Sequence, residues 1–534
     1  MPEILTLREM LEQNRKKFGG LTAFQIKRNN LYYQYSFKLV FELASALAGE
    51  LKLRGVSHGD RVALLSENRP EWSIAYLAIT SLGAVAVPLD ALLTREEIEN
   101  LLTDSGSRAM VVSRGLYEKH QLKLPRILME EMEALPARPV LETKVALEDL
   151  AAIVYTSGTT GTPKGVMLTH GNIMSNVLAT SHLFAIGPGD NFLSVLPLHH
   201  TFETTAGFLG PFYMGACITY AESLKSYNLV KNMQETGVTI MCGVPLLYNL
   251  FFDGILREME GKGGVISAIF AFMRFLSRGL YSQGLRRMLF TMIHKKFGGK
   301  IRFFVSGGAA IDPDIIRGFE LFGITLLQGY GLTESAPILA CCTLENNRVG
   351  SVGRPVENVE IKITSEGEII ARGPNIMQGY YKRPDLTAEI IKEGWLYTGD
   401  VGRRDEDGYL YITGRIKDII VSGAGVNVYP EEIECFLNKI GGVKESCVLG
   451  VKVREGVRRG MEEVWAIVVP DYEFFKKRVE LSFIEQHIKE EIMKLNQKLA
   501  EYKRIAQVKI RSIELPKTTT RKVRRFQVRR EMGL

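Results

Sequence analysis

Residues 155–165 read YTSGTTGTPKG and gather hydroxyls, glycines and one cation in the way a triphosphate demands. Gly158 and Gly161 allow backbone amides to approach phosphate oxygens closely. Thr156, Ser157, Thr159, Thr160 and Thr162 offer hydroxyls, and Lys164 a positive charge. An apolar run over 151–155 precedes the loop and reads as a short buried strand. A Walker-type loop needs Gly immediately before its Lys and Ser or Thr immediately after, whereas here those positions are Pro163 and Gly165. A kinase or GTPase of that design is excluded, and the stretch points to a different kind of ATP-handling enzyme. The alternative is a solvated Ser/Thr/Gly linker, which the density of phosphate-compatible residues disfavours.

The loop resembles the phosphate-binding signature of the adenylate-forming superfamily, which includes acyl-CoA synthetases, luciferases and the adenylation domains of peptide synthetases. The resemblance continues in order along the chain: SGGAAI at 306–311, GYGLTES at 329–335, YTGD at 397–400, GRIKDIIVSGAGVNVYPEEIE at 414–434 and PKTTTRKVRR at 516–525. LPLHHTFE, at 196–203, is similar to the acyl-contacting segment of long-chain fatty acyl enzymes, so the likeness is greatest to a bacterial-type long-chain fatty acid–CoA ligase.

That resemblance implies a two-step reaction. A carboxylate is a poor electrophile, because attack on it meets negative charge and would have to expel oxide. ATP converts it to an acyl-adenylate with loss of pyrophosphate, and positioned cations and donors stabilise the charge that develops. The thiol of coenzyme A then takes the acyl group and releases AMP.

By motif match, Thr156, Ser157, Gly158, Thr159, Thr160, Gly161 and Lys164 hold the β and γ phosphates. Thr156 and Glu334 hold Mg2+, for which a hard oxygen site is suited. The adenine lies between Gly307, Gly308 and Ala309 on one side and Gly329, Tyr330 and Gly331 on the other, with Gln328 and Thr333 in the same nucleotide-binding segment. Asp400 accepts hydrogen bonds from the ribose hydroxyls, and Arg415 adds charge beside it. His200 aligns with the gate to the acyl group.

Lys522 matches the lysine that bridges carboxylate and α-phosphate, a task for a compact mobile ammonium. The family usually has Gly before this lysine; here Arg521 stands there, and TTTRK resembles a variant found in long-chain acyl-CoA synthetases. Lys417 matches the hinge about which a lid would turn, withdrawing Lys522 and bringing in 421–427, where Gly423 and Gly425 line a thiol tunnel. The catalytic candidates are thus Lys522, Thr156, Glu334 and His200.

Taken singly, these residues have plainer readings: Glu334 an exposed loop acid, Tyr330 and His200 core packing, Lys522 part of a basic tail. Amino-acid-activating relatives place an aspartate near 196–203 to pair the substrate amine; none is present, which favours a carboxylate without an amine. The acyl acceptor is coenzyme A or the phosphopantetheine arm of an acyl carrier protein. A non-catalytic nucleotide- or lipid-binding relative would lack the phosphate loop, Glu334 or Lys522, and all are present.

The elements that must position these groups follow from length and pattern. With 534 residues, at least two domains are expected. Apolar runs at 61–65, 84–87, 109–112, 151–155, 192–196, 216–220, 240–242 and 301–305 alternate with helical patterns such as 37–53 and 74–82, the rhythm of parallel α/β layers. Beyond Gly350, shorter alternating strands and turns take over. The expected fold is α/β. It has a large N-terminal domain of stacked layers over 1–413 with a β-rich subdomain at about 345–413, a hinge at 414–418, and a small mobile α+β lid over 419–534.

Hydrophobic residues at 46% and charged residues at 24% are ordinary for a globular chain. The opening MPEILTLREMLEQNRKKF lacks the apolar core of a secretory signal, and the run 74–89 is interrupted too often to span a bilayer, reading instead as buried helix into strand. Six cysteines form no CxxC pair, which places the protein in a reducing cytoplasm.

The net charge of +7 suits acidic partners such as a nucleotide, coenzyme A, a carrier protein or an anionic membrane; no nucleic-acid motif accompanies it. No acidic residue lies between Glu260 and Asp312, where basic and apolar residues form a pair of amphipathic helices broken near Gly279 and Gly284. Arg274, Arg278 and Arg286 fall on one face if wound as a single helix. Two readings stand. The segment is an ordinary surface pair, or residues 262–302 contact a carrier or the inner membrane face, making the protein peripheral. A homodimer is a further expected partner state.

Overall fold

The computed structural model describes all residues except 1–3, 139–142, 157–162, 262, 281, 422–425, 454–460, 476–479 and 519–522. The chain forms two compact units, the first of residues 1–361 and 371–396, the second of 362–370 and 397–534.

Among the described residues, the first unit contains a nine-stranded and a seven-stranded sheet. The inner strands of the larger sheet run parallel: Thr325–Gly331, Phe303–Ser306, Ile240–Gly243, Asn191–Ser194, Cys217–Tyr220 and Thr22–Arg28 lie side by side. In the smaller sheet, Leu150–Thr156, Val85–Leu89, Arg61–Leu65, Ala109–Val112 and Arg126–Leu128 are parallel, and the antiparallel Lys164–Thr169 follows Leu150–Thr156 as a hairpin. Each of the eight apolar runs read from the sequence overlaps a strand, with bounds shifted by one or two residues in several. They are short and mostly apolar because both faces are covered, as parallel sheets require.

Helix Pro70–Ser81 shows how the layers stack. Every residue from Pro70 to Thr80 is buried, and the helix touches strands of both sheets. Its sequence, PEWSIAYLAITS, is apolar nearly all round, the pattern of a helix with no solvent face. Trp72 stacks on Tyr76, and the Ser73 and Tyr220 hydroxyls lie 2.6 Å apart, tying the helix to the larger sheet. On one face of that sheet, Leu193, Met241, Phe304 and Leu326 pack with Tyr248, Phe252, Phe319 and Phe322. The alternate residues Ser194 and Cys242 point to the other face, where the Cys242 thiol lies 3.8 Å from Ala206 O in the π-helical turn Glu203–Leu209.

The second unit is built on the strands Val443–Lys452, Glu462–Pro470 and Ile505–Ile510. Alternation sorts its core. Val448, Ala466 and Val468 pack with Ile433, Leu437, Ile484, Ile488 and Ile492, while Cys447, Leu449, Ile467 and Val469 pack with Leu515 and Val528. None of the six cysteines is in a disulfide. Among the described residues, no helix is long and apolar enough to cross a membrane.

Candidate active site

In the first unit the two ends of the phosphate-loop sequence lie on paired antiparallel strands. Thr156 ends strand Leu150–Thr156 and pairs with Lys164, the first residue of the returning strand; Tyr155 pairs with Gly165. Lys164 therefore stands on regular backbone, and its position relative to Thr156 is set by the ladder. Ser157, Gly158, Thr159, Thr160 and Gly161 lie outside the described residues.

The two-residue strand Gly379–Tyr380 lies against this hairpin, with Tyr380 opposite Val166. Tyr381 N donates to Gly165 O at 2.7 Å, which locks the register. Tyr380 is buried, and it links two sequence motifs: its ring centroid lies 5.1 Å from Lys164 Nζ, and its hydroxyl donates to Glu334 Oε1 at 2.7 Å. Burial and then the Glu334 carboxylate push the phenol above its usual range, so Tyr380 stays a hydrogen-bond donor. Lys164, paired with Thr156, and Glu334 are thus joined through a residue that the motif reading did not single out. A two-residue strand carries no periodicity, and nothing in the sequence signals its pairing partner.

The loop bearing Glu334 is anchored on both sides. Met377 N donates to Glu334 O at 2.9 Å, while the amides of Asn176 and Asn375 donate to Ser335 O at 2.7 and 3.0 Å. Among the described residues, no group of three or more His, Cys, Asp or Glu could hold a metal ion. One carboxylate and a threonine hydroxyl fit Mg2+, which keeps several waters and completes its octahedron with substrate phosphates. Glu334 and Thr156 would hold it, and its chemistry there would be charge neutralisation at phosphate oxygens.

The glycine-rich wall comes from the C-terminal ends of adjacent parallel strands. Ser306 pairs with Gln328, so 307–309 and 329–331 emerge next to each other. A Cβ on Gly307 would meet the Phe202 ring at 2.9 Å, and Gly308 has φ +79, so both positions favour glycine. Phe202 belongs to 196–203, and its closeness to Gly307 brings that segment to the wall. Gly331 is required for an internal reason, since a Cβ there would lie 1.7 Å from Pro337 O. Gly308 and Ala309 are exposed, Gly329, Tyr330 and Thr333 are half-buried, and Gln328 is buried.

His200 is half-buried, with its ring 4.2 Å from that of His199. Burial pushes its pKa down to about 4, which makes it a neutral imidazole at physiological pH. Three residues on, Glu203 is completely buried, and burial pushes its carboxyl up to about 8. Ser194 and the Leu196 backbone face it and pull slightly the other way, but neither carboxyl oxygen has a hydrogen bond of good geometry. His200 and Glu203, close to Phe202 in sequence, are thus both uncharged at neutral pH. A glutamate amid an apolar run was the available sequence signal for Glu203.

In the second unit, Asp400 and Arg415 face each other across the hairpin of strands Trp395–Arg404 and Leu410–Arg415, with Arg415 Nε 2.8 Å from Asp400 Oδ1. Asp400 is buried and Arg415 half-exposed. Lys417 is exposed on the single turn Ile416–Asp418 that follows. Gly423, Gly425 and Lys522 lie outside the described residues. On either side of 519–522 the chain is held firmly: Lys517 pairs with Val523 in an antiparallel bridge, and Lys517 Nζ lies 2.5 Å from Glu445 Oε2. The buried guanidinium of Arg525 reaches Glu434 at 2.6 Å, Glu431 at 3.1 Å and Asp418 at 3.6 Å.

Comparison with known proteins agrees with this geometry. The AMP-binding enzyme family model matches residues 11–381, and the model of the AMP-binding enzyme C-terminal domain matches 432–522. A long-chain-fatty-acid–CoA ligase of Salmonella typhimurium is 29% identical over 98% of this chain and 94% of its own. A feruloyl-CoA synthase of an Amycolatopsis species is 31% identical over 76% of this chain and 78% of its own. The structure of O-succinylbenzoate coenzyme A synthetase from Bacillus subtilis, in complex with ATP and magnesium ion, superposes with a TM-score of 0.78. It is 25% identical and covers 97% of this chain and 99% of that one. With its phosphate hairpin, glycine wall and C-terminal unit matched in order, the chain belongs to the AMP-binding, adenylate-forming enzyme family.

Proposed function

We propose that this protein is an AMP-forming acid–CoA ligase whose acid is a medium- to long-chain fatty acid. ATP and Mg2+ serve the first half-reaction and coenzyme A the second. The observation that carries the reading is the linkage of Lys164 and Glu334 through Tyr380, which holds a cation and a hard carboxylate at the phosphate hairpin. In the first half-reaction a carboxylate oxygen attacks the α-phosphorus, the bond to the bridging oxygen breaks, and pyrophosphate leaves. Lys522 neutralises charge between the two anions, Thr156 and Lys164 hold the outer phosphates, and Asp400 takes the ribose. In the second, after the lid turns at Lys417, the thiol sulfur attacks the acyl carbonyl, its proton goes to solvent, and AMP leaves.

An acyl chain without charge is supported by the segment 196–203, whose Phe202 meets Gly307. His200 and Glu203 are neutral near pH 7, and Phe202 presents an aromatic face. The named relatives act on different acids, long-chain fatty acids and ferulate among them, so the chain itself must decide. Pyrophosphate release measured against acids from acetate to palmitate, with benzoate and ferulate included, tests the choice. Medium or long fatty acids are expected to give the highest kcat/KM, and preference for an aromatic acid would overturn it. Lys522→Ala is expected to lose adenylation far more than thioester formation from supplied acyl-adenylate. Free coenzyme A and acyl carrier protein offered side by side identify the acceptor.

A further inference from the structure

A residue far back in the chain holds the backbone of segment 196–203. Asn68 Nδ2 donates to Leu196 O at 2.5 Å, and Asn68 Oδ1 accepts from Leu198 N at 3.0 Å. One side-chain amide thus pairs with the carbonyl and the N–H on either side of Pro197, which itself has no N–H to offer. Leu196 and Leu198 are 6% and 1% exposed, and at such depth a backbone group without a partner is destabilising. The residue type matters. An aspartate of the same shape cannot donate to Leu196 O, and a leucine satisfies neither group.

Asn68 is itself placed by a rigid frame. It lies between strand Arg61–Leu65 and the buried helix Pro70–Ser81, and its neighbour Arg69 is tied to Glu71 at 2.9 Å and to Glu130 at 2.5 Å. The next loop of the smaller sheet faces the same segment: Asp90, directly after strand Val85–Leu89, has Oδ2 3.6 Å from His199 Nε2. Segment 196–203 therefore continues from a strand of the larger sheet, Asn191–Ser194, yet is seated on loops of the smaller one.

What Asn68 fixes is passed along the segment. His200 N donates to Pro197 O at 3.0 Å, and Thr204 Oγ1 lies 2.6 Å from Leu198 O and 3.1 Å from His200 O. Residues 197–204 form one hydrogen-bonded turn, so a shift of Leu196 and Leu198 carries His200 and Phe202 with it. The Phe202 ring stands 2.9 Å from where a Cβ on Gly307 would be, which leaves little room for such a shift. We propose that Asn68 is a positioning residue for acyl selection: by bridging Leu196 and Leu198 it sets where His200 and Phe202 stand at the glycine wall, and so which acids the site accepts. This role rests on the proposed reading of 196–203 as the segment that meets the acyl group. A residue that only closed the fold would weaken the reaction of every acid alike, whereas one that places the segment alters their ranking.

Pyrophosphate release by the full-length protein, with octanoate, palmitate and benzoate each varied in concentration, tests this in Asn68→Ala and in Asn68→Asp, which keeps the shape and loses the donor. Each variant is expected to lower kcat/KM for the preferred acid by roughly tenfold and to change the ratios between acids several-fold. The KM for ATP should stay within about twofold of wild type, because Asn68 acts on the acyl side of the wall. If Asn68→Ala does not fold, the isosteric Asn68→Asp decides alone. An equal loss for all three acids, or a rise in the KM for ATP that matches the loss for the acid, would overturn the proposal. His200→Phe, measured alongside, separates it from the reading beneath it. Changed ratios in His200→Phe with unchanged ratios in both Asn68 variants would remove Asn68 from acyl selection and leave the acyl segment in place. Unchanged ratios in all three would remove segment 196–203 from acyl recognition, and the role of Asn68 with it.

Discussion

The Tyr380 hydroxyl donates to Glu334 Oε1 at 2.7 Å while the Tyr380 ring lies 5.1 Å from Lys164 Nζ. One buried side chain thereby touches both charged groups of the candidate phosphate site. A hydrogen bond to a charged group contributes about 1.5–3 kcal/mol. Tyr380→Phe removes that bond and keeps the ring. It is expected to lower kcat for pyrophosphate release by roughly ten- to a hundredfold, raise the Mg2+ concentration for half-maximal rate, and lower Tm by only a few degrees. Unaltered Mg2+ dependence would mean that Tyr380 only packs.

Glu203 packs its carboxyl over Gly207, where a Cβ would come within 2.5 Å of it. Burial raises its pKa from 4.5 to about 8, so near neutral pH the folded protein keeps a proton that the unfolded chain has released. The stability this confers is complete below the unfolded value and is lost as pH rises through the folded one. The slope is about 1.4 kcal/mol per pH unit within that window. Glu203→Gln keeps the shape without the titration. Tm followed from about pH 5.5 to about pH 8 should fall more steeply for wild type than for the variant. Parallel curves would show that Glu203 is ionised in the fold.

Much of this architecture could be read from residue types alone. The strands are runs of apolar residues, and helix Phe37–Leu53 covers the segment read as helical, because burial on both sides leaves a plain compositional mark. What depends on pairing between distant segments could not be read. Lys164 belongs to a strand because Thr156 pairs with it, and Tyr380 reaches Glu334 only because Gly379–Tyr380 joins the edge of the same sheet. The requirement for Gly331 comes from Pro337 O, a local fold-back that the motif GYGLTES gives no hint of. Similarly, the apolar pattern of 264–278 marks an amphipathic helix, but which face is covered depends on Phe270 and Ser277 meeting the rest of the unit.

Arg525 lies three residues after Lys522 and is surrounded by Glu434, Glu431 and Asp418. Removing one partner of a buried ion pair leaves uncompensated charge and costs about 3–5 kcal/mol. Arg525→Met is therefore expected to destabilise the second unit, seen as faster proteolysis within 397–534, and to lower adenylation with it. Lys522→Ala should lower adenylation while proteolysis stays at the wild-type rate. Equal protection of the two variants would show that the Arg525 cluster does not hold this segment.

His200 gives the sharpest test of how charge is distributed at the acyl end of the site. Burial holds its pKa at about 4, so no protonation of this ring occurs from about pH 5.5 upward. His200 would then act by shape and hydrogen bonding rather than as an acid or base. His200→Phe is expected to change the relative kcat/KM for long and short acids by several-fold, since differences of this size follow from about 1 kcal/mol of altered contact. The form of the kcat/KM profile between about pH 5.5 and pH 8 should not change. If wild type shows an acidic limb near pH 6 that His200→Phe abolishes, the imidazole titrates in the working range. The acyl-contacting segment would then carry a charge switch that its burial argues against.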